Sequence, residues 1–466
     1  MPSTKFPWIF CADIGTSSLK AALIDTEGHA AALVREVYPP ERFASGTILA
    51  ADWEDALARA WGRLASQTGI FPRALCISGN GPTLVPLTPW GEALAPLHWY
   101  GHRRTEEGSQ SLFLPYIRSF IQDRPQDYEN TRYLCSAPEW LAYRLGADLV
   151  TTLPALAYEP YYWDQDQCAC AGVDIQVFPP FVKLGSIIGM VSPAASSRLN
   201  LPEGIPLVAG GPDFIMALIG VGALKPGMVC DRAGTSEGIN VCCSRPFPQG
   251  AFRVLPHLEE GLWNIGSIIP SSGRLFDWFR TLSGQEERLY RELMEELIPQ
   301  PRCFRQSRAC FFPQEESLPG LFLSLGESGL MNRQELGRAV LEAMGFLVRD
   351  TLTEMEKQGL GIREMRVCGG QGKNPLWNQF KADLCGCTLL IPELYDGELA
   401  GDAAVAAVAL GESAGLAEAV SRIVRMSAQY VPTSQTQDQY TEQYHDYKAL
   451  KERIRASIRE GNHGAL

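Results

Sequence analysis

The sequence predicts an α/β protein built from two similar domains. Three observations carry that expectation. Apolar, strand-like runs end in glycine-rich turns. A Gly-Thr-Ser turn occurs once in each half. Each half later places a helix, a short strand and a second glycine-rich turn in the same order. A chain of 466 residues is long enough for two or three domains and a large core.

In the first half, residues 8–12 are apolar, and 19–24 and 30–38 follow around an Asp25-Thr-Glu-Gly28 turn, which predicts a β-meander. Asp52 is placed to cap a helix running to about residue 67. A strand at 74–78 runs into Gly79-Asn80-Gly81-Pro82, and helices are expected at 105–122 and 136–145. The most apolar stretch, 205–224, holds Gly210, Gly211, Pro212 and Asp213 at its centre. It reads as a buried loop and not a membrane span, because a central Asp costs about 2.5–3.5 kcal/mol in a bilayer.

In the second half, strands at 228–231 and 239–243 flank Gly234-Thr235-Ser236. An amphipathic helix at 334–357 presents Leu336, Val340, Met344, Leu347, Thr351 and Met355 at helical spacing. A strand at 365–368 enters Gly369-Gly370-Gln371-Gly372, a strand at 388–391 and a small-residue helix at 399–410 follow, and a polar helix begins near 435. Copies of about 200 residues are too long for a solenoid repeat. The expected division is therefore into residues 1–222 and 223–466.

Asp plus Glu (53) exceeds Lys plus Arg (41), leaving a net charge of −12, so a broad basic face for nucleic acid is excluded. The 13 cysteines form no C-x-x-C, and no His stands at zinc spacing from them. They read as buried thiols in a reducing, cytoplasmic compartment. Asp13 breaks the first apolar run, so no signal-like segment is expected, and no membrane partner.

Asp13-Ile-Gly15-Thr16-Ser17-Ser18-Leu-Lys20 follows a strand directly. Gly15 permits a tight turn and close approach to a ligand, and backbone N–H groups with the Thr16 and Ser17 hydroxyls suit phosphate oxygens. Asp13 is the candidate ligand for a hydrated Mg²⁺. Gly234-Thr235-Ser236 repeats the turn, so the two together suit one polyphosphate. Asp213 reads either as a helix cap or as a general base. Gly369-Gly370-Gln371-Gly372-Lys373-Asn374 fits neither the dinucleotide fingerprint nor the P-loop, yet offers a flat backbone surface for a nucleoside. Trp99, Tyr100, His102 and Arg103 suit a sugar or polyol pocket.

These motifs, in order along nearly the whole chain, resemble the FGGY carbohydrate kinases of the actin/hexokinase-like superfamily. The resemblance adds Trp99-x-x-x-Arg103, the segment from Ala137 to Gly146, Gly211-x-Asp213, Arg338-Ala-Val-Leu-Glu342 and Cys368 to Asn374. It implies an α/β fold of two actin-like (ribonuclease H-like) domains facing each other across a cleft, with ATP and Mg²⁺. It implies Asp213 as catalytic base. Asn80, Gly81, Trp99, Arg103, Asp213 and Phe214 fall at the sugar. Gly15, Thr16, Ser17, Lys20, Gly234, Thr235, Ser236, Gly273, Gly369, Gly370, Gln371 and Asn374 fall at the nucleotide. The implied reaction is ATP-dependent phosphorylation of a small sugar or polyol, a ketopentose such as xylulose among the candidates, and a homodimer is left open.

The chain departs from xylulose kinases at the sugar. Asn80-Gly81-Pro82-Thr83 stands in place of Gln-Met-His-Gly, Trp99-Tyr100-Gly101 in place of Trp-Asn-Asp, and Phe214 follows the base where Asn is usual. Two other classes remain. One is a non-catalytic actin-like sensor of ATP and sugar. The other is a serine hydrolase, because Gly234-Thr-Ser236-Glu-Gly238 fits G-x-S-x-G with Asp383 or Asp402 and His445 downstream.

Overall fold

The computed structural model describes residues 6–80, 82–98, 110–247, 252–298, 309–314, 320–324 and 332–463. The chain forms two compact units, and they are not the contiguous pieces 1–222 and 223–466. The first comprises Met1–Leu224, Leu255–Trp263 and Asp396–Arg425; the second comprises Lys225–Val254, Asn264–Tyr395 and Met426–Leu466. The first break, at 224/225, falls close to the expected place. The return of 396–425 has a packing cause. Its helix, Gly397–Ala409, is apolar and almost entirely buried, and it covers strands of the first unit's sheet.

The sheet of the first unit runs in the order Ala30–Val37, Ser18–Asp25, Trp8–Ile14, Ala74–Gly79, Pro206–Pro212, Ile187–Met190. Trp8–Ile14 is buried along its whole length, as a central strand covered on both faces requires. The edge strand Ala30–Val37 alternates buried and exposed residues towards its end, the period-2 pattern of a half-covered strand. Helix Ala50–Thr68 lays Trp53, Leu57, Trp61 and Leu64 on the core. Asp52 is its third residue and not its cap: its Oδ2 accepts the Leu49 N–H at 2.8 Å. Ser136 precedes helix Ala137–Leu145 as expected. The helix expected at 105–122 is Leu114–Asp123, with Pro115 in its first turn, and 105–109 lie outside the described residues.

The apolar stretch read as a buried loop is instead a strand, Pro206–Pro212, followed by a helix, Asp213–Gly220. Its glycines serve backbone contact: a Cβ on Gly210 would lie 2.0 Å from the Ile77 carbonyl oxygen. Helix Asp213–Gly220 meets Gly397–Ala409 in the same way. A Cβ on Gly220 would lie 1.8 Å from Gly397 O, and one on Gly401 2.1 Å from Met216 O.

The second unit repeats the plan in the order Arg253–Pro256, Trp263–Ile269, Glu237–Cys243, Val229–Ala233, Glu364–Cys368, Thr388–Pro392, Met426–Tyr430. In both sheets an antiparallel pair joined by Gly-Thr-Ser is followed by two parallel steps and an antiparallel edge strand. Helix Arg333–Lys357 begins at Asn332, whose side chain caps it while Glu335 reaches back, and it runs through a core of Phe279, Phe346, Phe380 and Tyr440. Among the described residues no helix is long and apolar enough to cross a membrane.

Gly401→Ala is expected to destabilise the first unit by at least about 2 kcal/mol, because neither backbone has a side chain to move aside. Chemical denaturation of the variant against the parent checks this.

Candidate active site

In the first unit, Gly15-Thr16-Ser17 joins Trp8–Ile14 to Ser18–Asp25. The Gly15 N–H closes the turn on the Ser18 carbonyl at 3.0 Å. Thr16 is exposed at the tip and donates to Asn80 Oδ1 at 3.4 Å. Arg35, on the neighbouring strand, donates through Nε to Ser18 Oγ at 2.8 Å and through Nη2 to Ser17 Oγ at 3.4 Å. A hydroxyl that accepts from a guanidinium keeps its own proton for an outward acceptor, which suits an anion. Sequence reasoning passed over Arg35, because a lone Arg on an edge strand carries no motif.

Asp13 is buried, and its register partners are Lys20 on one side and Ser78 on the other. Lys20 Nζ lies 3.0 Å from Asp396 Oδ1 and 3.9 Å from Glu398 Oε2. Burial opposes the ammonium charge, but Glu398, Asp396 and Asp13 outweigh it and raise the Lys20 pKa. In the structure these carboxylates engage the side chain nominated for phosphate. Asp402, on helix Gly397–Ala409, accepts from Ser78 Oγ at 3.1 Å and Cys76 Sγ at 3.7 Å, and burial, then Asp13, push its carboxyl well up.

Three strand ends lie side by side here. Ile14 pairs with Gly79, and Gly79 pairs with Pro212. The residues that follow are therefore Gly15, Asn80 and Asp213, about 10 Å apart across two strand spacings. Asn80 is buried and its N–H donates to the Ile14 carbonyl at 2.9 Å. Asp213 is half-buried and opens helix Asp213–Gly220, and its Oδ1 accepts the Phe214 N–H at 2.7 Å. The cap position belongs to Pro212. A helix N-terminus is a favourable place for a carboxylate charge. Phe214 is half-buried beside it, whereas Gly81, Trp99 and Arg103 lie outside the described residues.

In the second unit, Gly234-Thr235-Ser236 joins Val229–Ala233 to Glu237–Cys243, and the Gly234 N–H closes on the Ser236 carbonyl at 3.0 Å. Thr235 and Ser236 are exposed. Nominated residues distant in sequence meet this turn. A Cβ on Gly273 would lie 2.3 Å from Gly234 O, and one on Gly369 2.7 Å from Ala233 O. Gln371 Nε2 donates to Gly234 O at 2.9 Å. Gly370 is exposed with open space above its Cα. Asn374 caps helix Pro375–Cys385, its Oδ1 accepting the N–H groups of Leu376 at 3.0 Å and Trp377 at 3.1 Å.

Beneath the turn lies a charged network that no sequence motif announced. Lys381 is fully buried, donating to Asp231 Oδ2 at 2.5 Å and to Glu237 Oε1. Ser272 Oγ donates to Glu237 Oε2 at 2.5 Å and accepts from Gln371 Nε2 at 3.2 Å, and Trp377 Nε1 donates to Gln371 Oε1 at 3.1 Å. Burial, then Glu237, push Asp231 up to about 8. Burial also disfavours the Lys381 charge, but the two carboxylates outweigh it.

Residues 232–410 match the C-terminal domain of the FGGY family of carbohydrate kinases. The chain therefore carries a C-terminal domain of that family. Among curated proteins, an autoinducer-2 kinase from Enterobacter sp. (strain 638) is 25% identical over 361 residues, covering 72% of this chain and 68% of that protein. An autoinducer-2 kinase from Escherichia coli O9:H4 (strain HS) is 24% identical over 374 residues, covering 75% and 70%. Among solved structures, a gluconate kinase from Lactobacillus acidophilus superposes with a TM-score of 0.81 at 17% identity, over 98% of this chain and 100% of that one. A xylulose kinase from Rhodospirillum rubrum superposes with a TM-score of 0.76 at 20% identity, over 97% and 100%. These likenesses establish the two-domain, actin-like α/β fold.

The geometry around Ser236 does not supply a nucleophile elbow. A strand and not a helix follows Ser236. Asp383 is occupied by the Gln379 side chain at 3.0 Å and the Thr433 N–H at 2.8 Å.

Lys381→Met leaves buried Asp231 and Glu237 without the cation between them and is expected to cost about 3–5 kcal/mol in denaturation experiments. The folded-state pKa of Asp231 lies above its ordinary value, so the folded chain holds a proton that the unfolded chain has released. This group's contribution to stability is full below about pH 4 and declines as the pH rises through about 8. Asp231→Asn is expected to flatten that part of the stability profile.

Proposed function

We propose that this FGGY kinase transfers the γ-phosphoryl group of ATP to a hydroxyl of a small sugar or polyol, with Asp213 as general base. The observation that carries the reading is the strand-end register. It sets the Gly15-Thr16-Ser17 turn, Asn80 and Asp213 on one edge of one sheet, at the carboxyl ends of its parallel strands. Ligands of open α/β sheets bind at such edges. The acceptor oxygen attacks the γ-phosphorus in line, its proton passes to the Asp213 carboxylate, and the bond to the ADP oxygen breaks. Such a transition state asks for positioning and charge stabilisation more than for covalent chemistry.

Gly15, Thr16 and Ser17, with Gly234, Thr235, Ser236 and Gly273, offer N–H and hydroxyl donors of the kind phosphate oxygens accept. Gly369, Gly370 and Gln371 offer a backbone surface for the nucleoside, and Asn374 shapes it as the cap of the following helix. Asp13 is an oxygen donor with Asp402 near it electrostatically, and Mg²⁺ needs only one or two protein carboxylates when phosphates and waters complete its shell. Among the described residues no group of three or more His, Cys, Asp or Glu is placed to hold a metal ion. Bound there, Mg²⁺ would neutralise phosphate charge. Most of the described cysteines are buried, and a reducing, cytoplasmic location is part of the proposal.

Asp213→Asn is expected to lower turnover about 10²–10⁴-fold with folding and nucleotide binding retained. Steady-state kinetics with nucleotide titration check this, and unchanged turnover rejects the base. Thr235→Val is expected to raise the KM for ATP while leaving the ranking of acceptors as it was. A changed ranking contradicts the nucleotide role.

A further inference from the structure

The second Gly-Thr-Ser turn is held by residues outside the motif, and one hydroxyl links them. Ser272 is fully buried and opens helix Ser272–Leu282. Its Oγ donates to Glu237 Oε2 at 2.5 Å and accepts from Gln371 Nε2 at 3.2 Å. The same Gln371 nitrogen donates to Gly234 O at 2.9 Å, and Trp377 Nε1 fixes the other end of that amide at 3.1 Å. The residues after Ser272 press on the turn directly. A Cβ on Gly273 would lie 2.3 Å from Gly234 O, and the Arg274 N–H donates to Thr235 O at 3.0 Å. Glu237 follows Ser236 in the chain and is held at both oxygens, by Lys381 at Oε1 and by Ser272 at Oε2.

Stability alone does not account for this arrangement, since a buried ion pair adds little over apolar side chains of the same volume. It does supply a fixed acceptor. A carboxylate anchored by an ammonium group keeps its second oxygen aimed at Ser272, and a hydrogen bond to a charged group is stronger than a neutral one. From this geometry we infer that Ser272 and Glu237 are positioning residues for the nucleotide. They set the Gly234-Thr235-Ser236 turn where its N–H and hydroxyl groups meet phosphate oxygens. Both side chains are fully buried, so they act through the turn and not by touching the ligand. The inference rests on the kinase reading and adds to it the residues that fix the second phosphate turn.

The test is calorimetric binding of Mg·ADP to the full chain, which does not depend on phosphoryl transfer, with steady-state kinetics beside it. Ser272→Ala removes the link. Ser272→Cys fills the same space with a thiol, a weak donor, and so separates the hydrogen bond from the packing. Both are expected to raise the ADP dissociation constant about tenfold. The KM for ATP is expected to rise with it, and the KM for the acceptor to stay as it was. Glu237→Gln leaves one oxygen for two donors and is expected to weaken ADP as well. Phe346→Leu, in the core around helix Arg333–Lys357, removes no bond of the network. It is expected to lower the denaturation midpoint and leave ADP affinity unchanged. Unchanged ADP affinity in the Ser272 variants, a loss that Ser272→Cys repairs, or an equal loss in Phe346→Leu would each overturn the inference. A parent chain that binds Mg·ADP yet forms no phosphorylated product would overturn the kinase reading alone, and one that binds no nucleotide would overturn both.

Discussion

At each Gly-Thr-Ser turn backbone meets backbone with no side chain between. A Cβ on Gly79 would lie 2.7 Å from the Ile14 carbonyl, one on Gly273 2.3 Å from that of Gly234, and one on Gly369 2.7 Å from that of Ala233. Only glycine fits these contacts, and the contacts fix where the exposed hydroxyls of Thr16, Thr235 and Ser236 stand. The register of the parallel strands then follows from the same close packing. Gly210 passes over Ile77, so Pro212 aligns with Gly79 and Asp213 emerges beside Asn80. Pre-set geometry of this kind is what a phosphoryl-transfer site needs, since its catalysis is mostly orientation and charge.

The two turns share a backbone plan but are supported differently. In the first unit, support comes from the side, through Arg35 and Asn80, with Lys20 drawn to Asp396 and Glu398. In the second, support comes from below, through Lys381, Asp231, Glu237, Ser272 and Gln371. Buried ion pairs of this kind contribute little net stability against an apolar alternative, yet breaking one is costly. Their value here is positional: the network links three segments of the second unit to one turn.

Much of this was legible in the sequence, because turns and strands are local. The paired Gly-Thr-Ser turns, the apolar run at 8–12, the amphipathic helix at 334–357 and the polar helix near 435 all follow from spacing and composition. Other features depend on partners distant in the chain. The stretch 205–224 looked like a loop because its glycines and proline are turn residues in isolation, whereas opposite Ile77 they make a tightly paired central strand. Lys381 belongs to no motif, and only the fold brings Asp231 and Glu237 to it. Glu139 is the third residue of its helix, and only the fold brings the Thr152 N–H to it. The return of 396–425 to the first unit is invisible locally for the same reason: its glycines matter only against Met216 and Gly220.

The central claim is acceptor-dependent phosphoryl transfer. Its most direct measurement is ADP formation together with the phosphorylated product, followed by phosphorus NMR, for the purified chain with Mg·ATP and a panel of neutral sugars and polyols. The account predicts equal amounts of ADP and a single phosphate ester with one or a few acceptors, and little ADP without them. ADP formed at the same slow rate whatever the acceptor, with no ester, would contradict it.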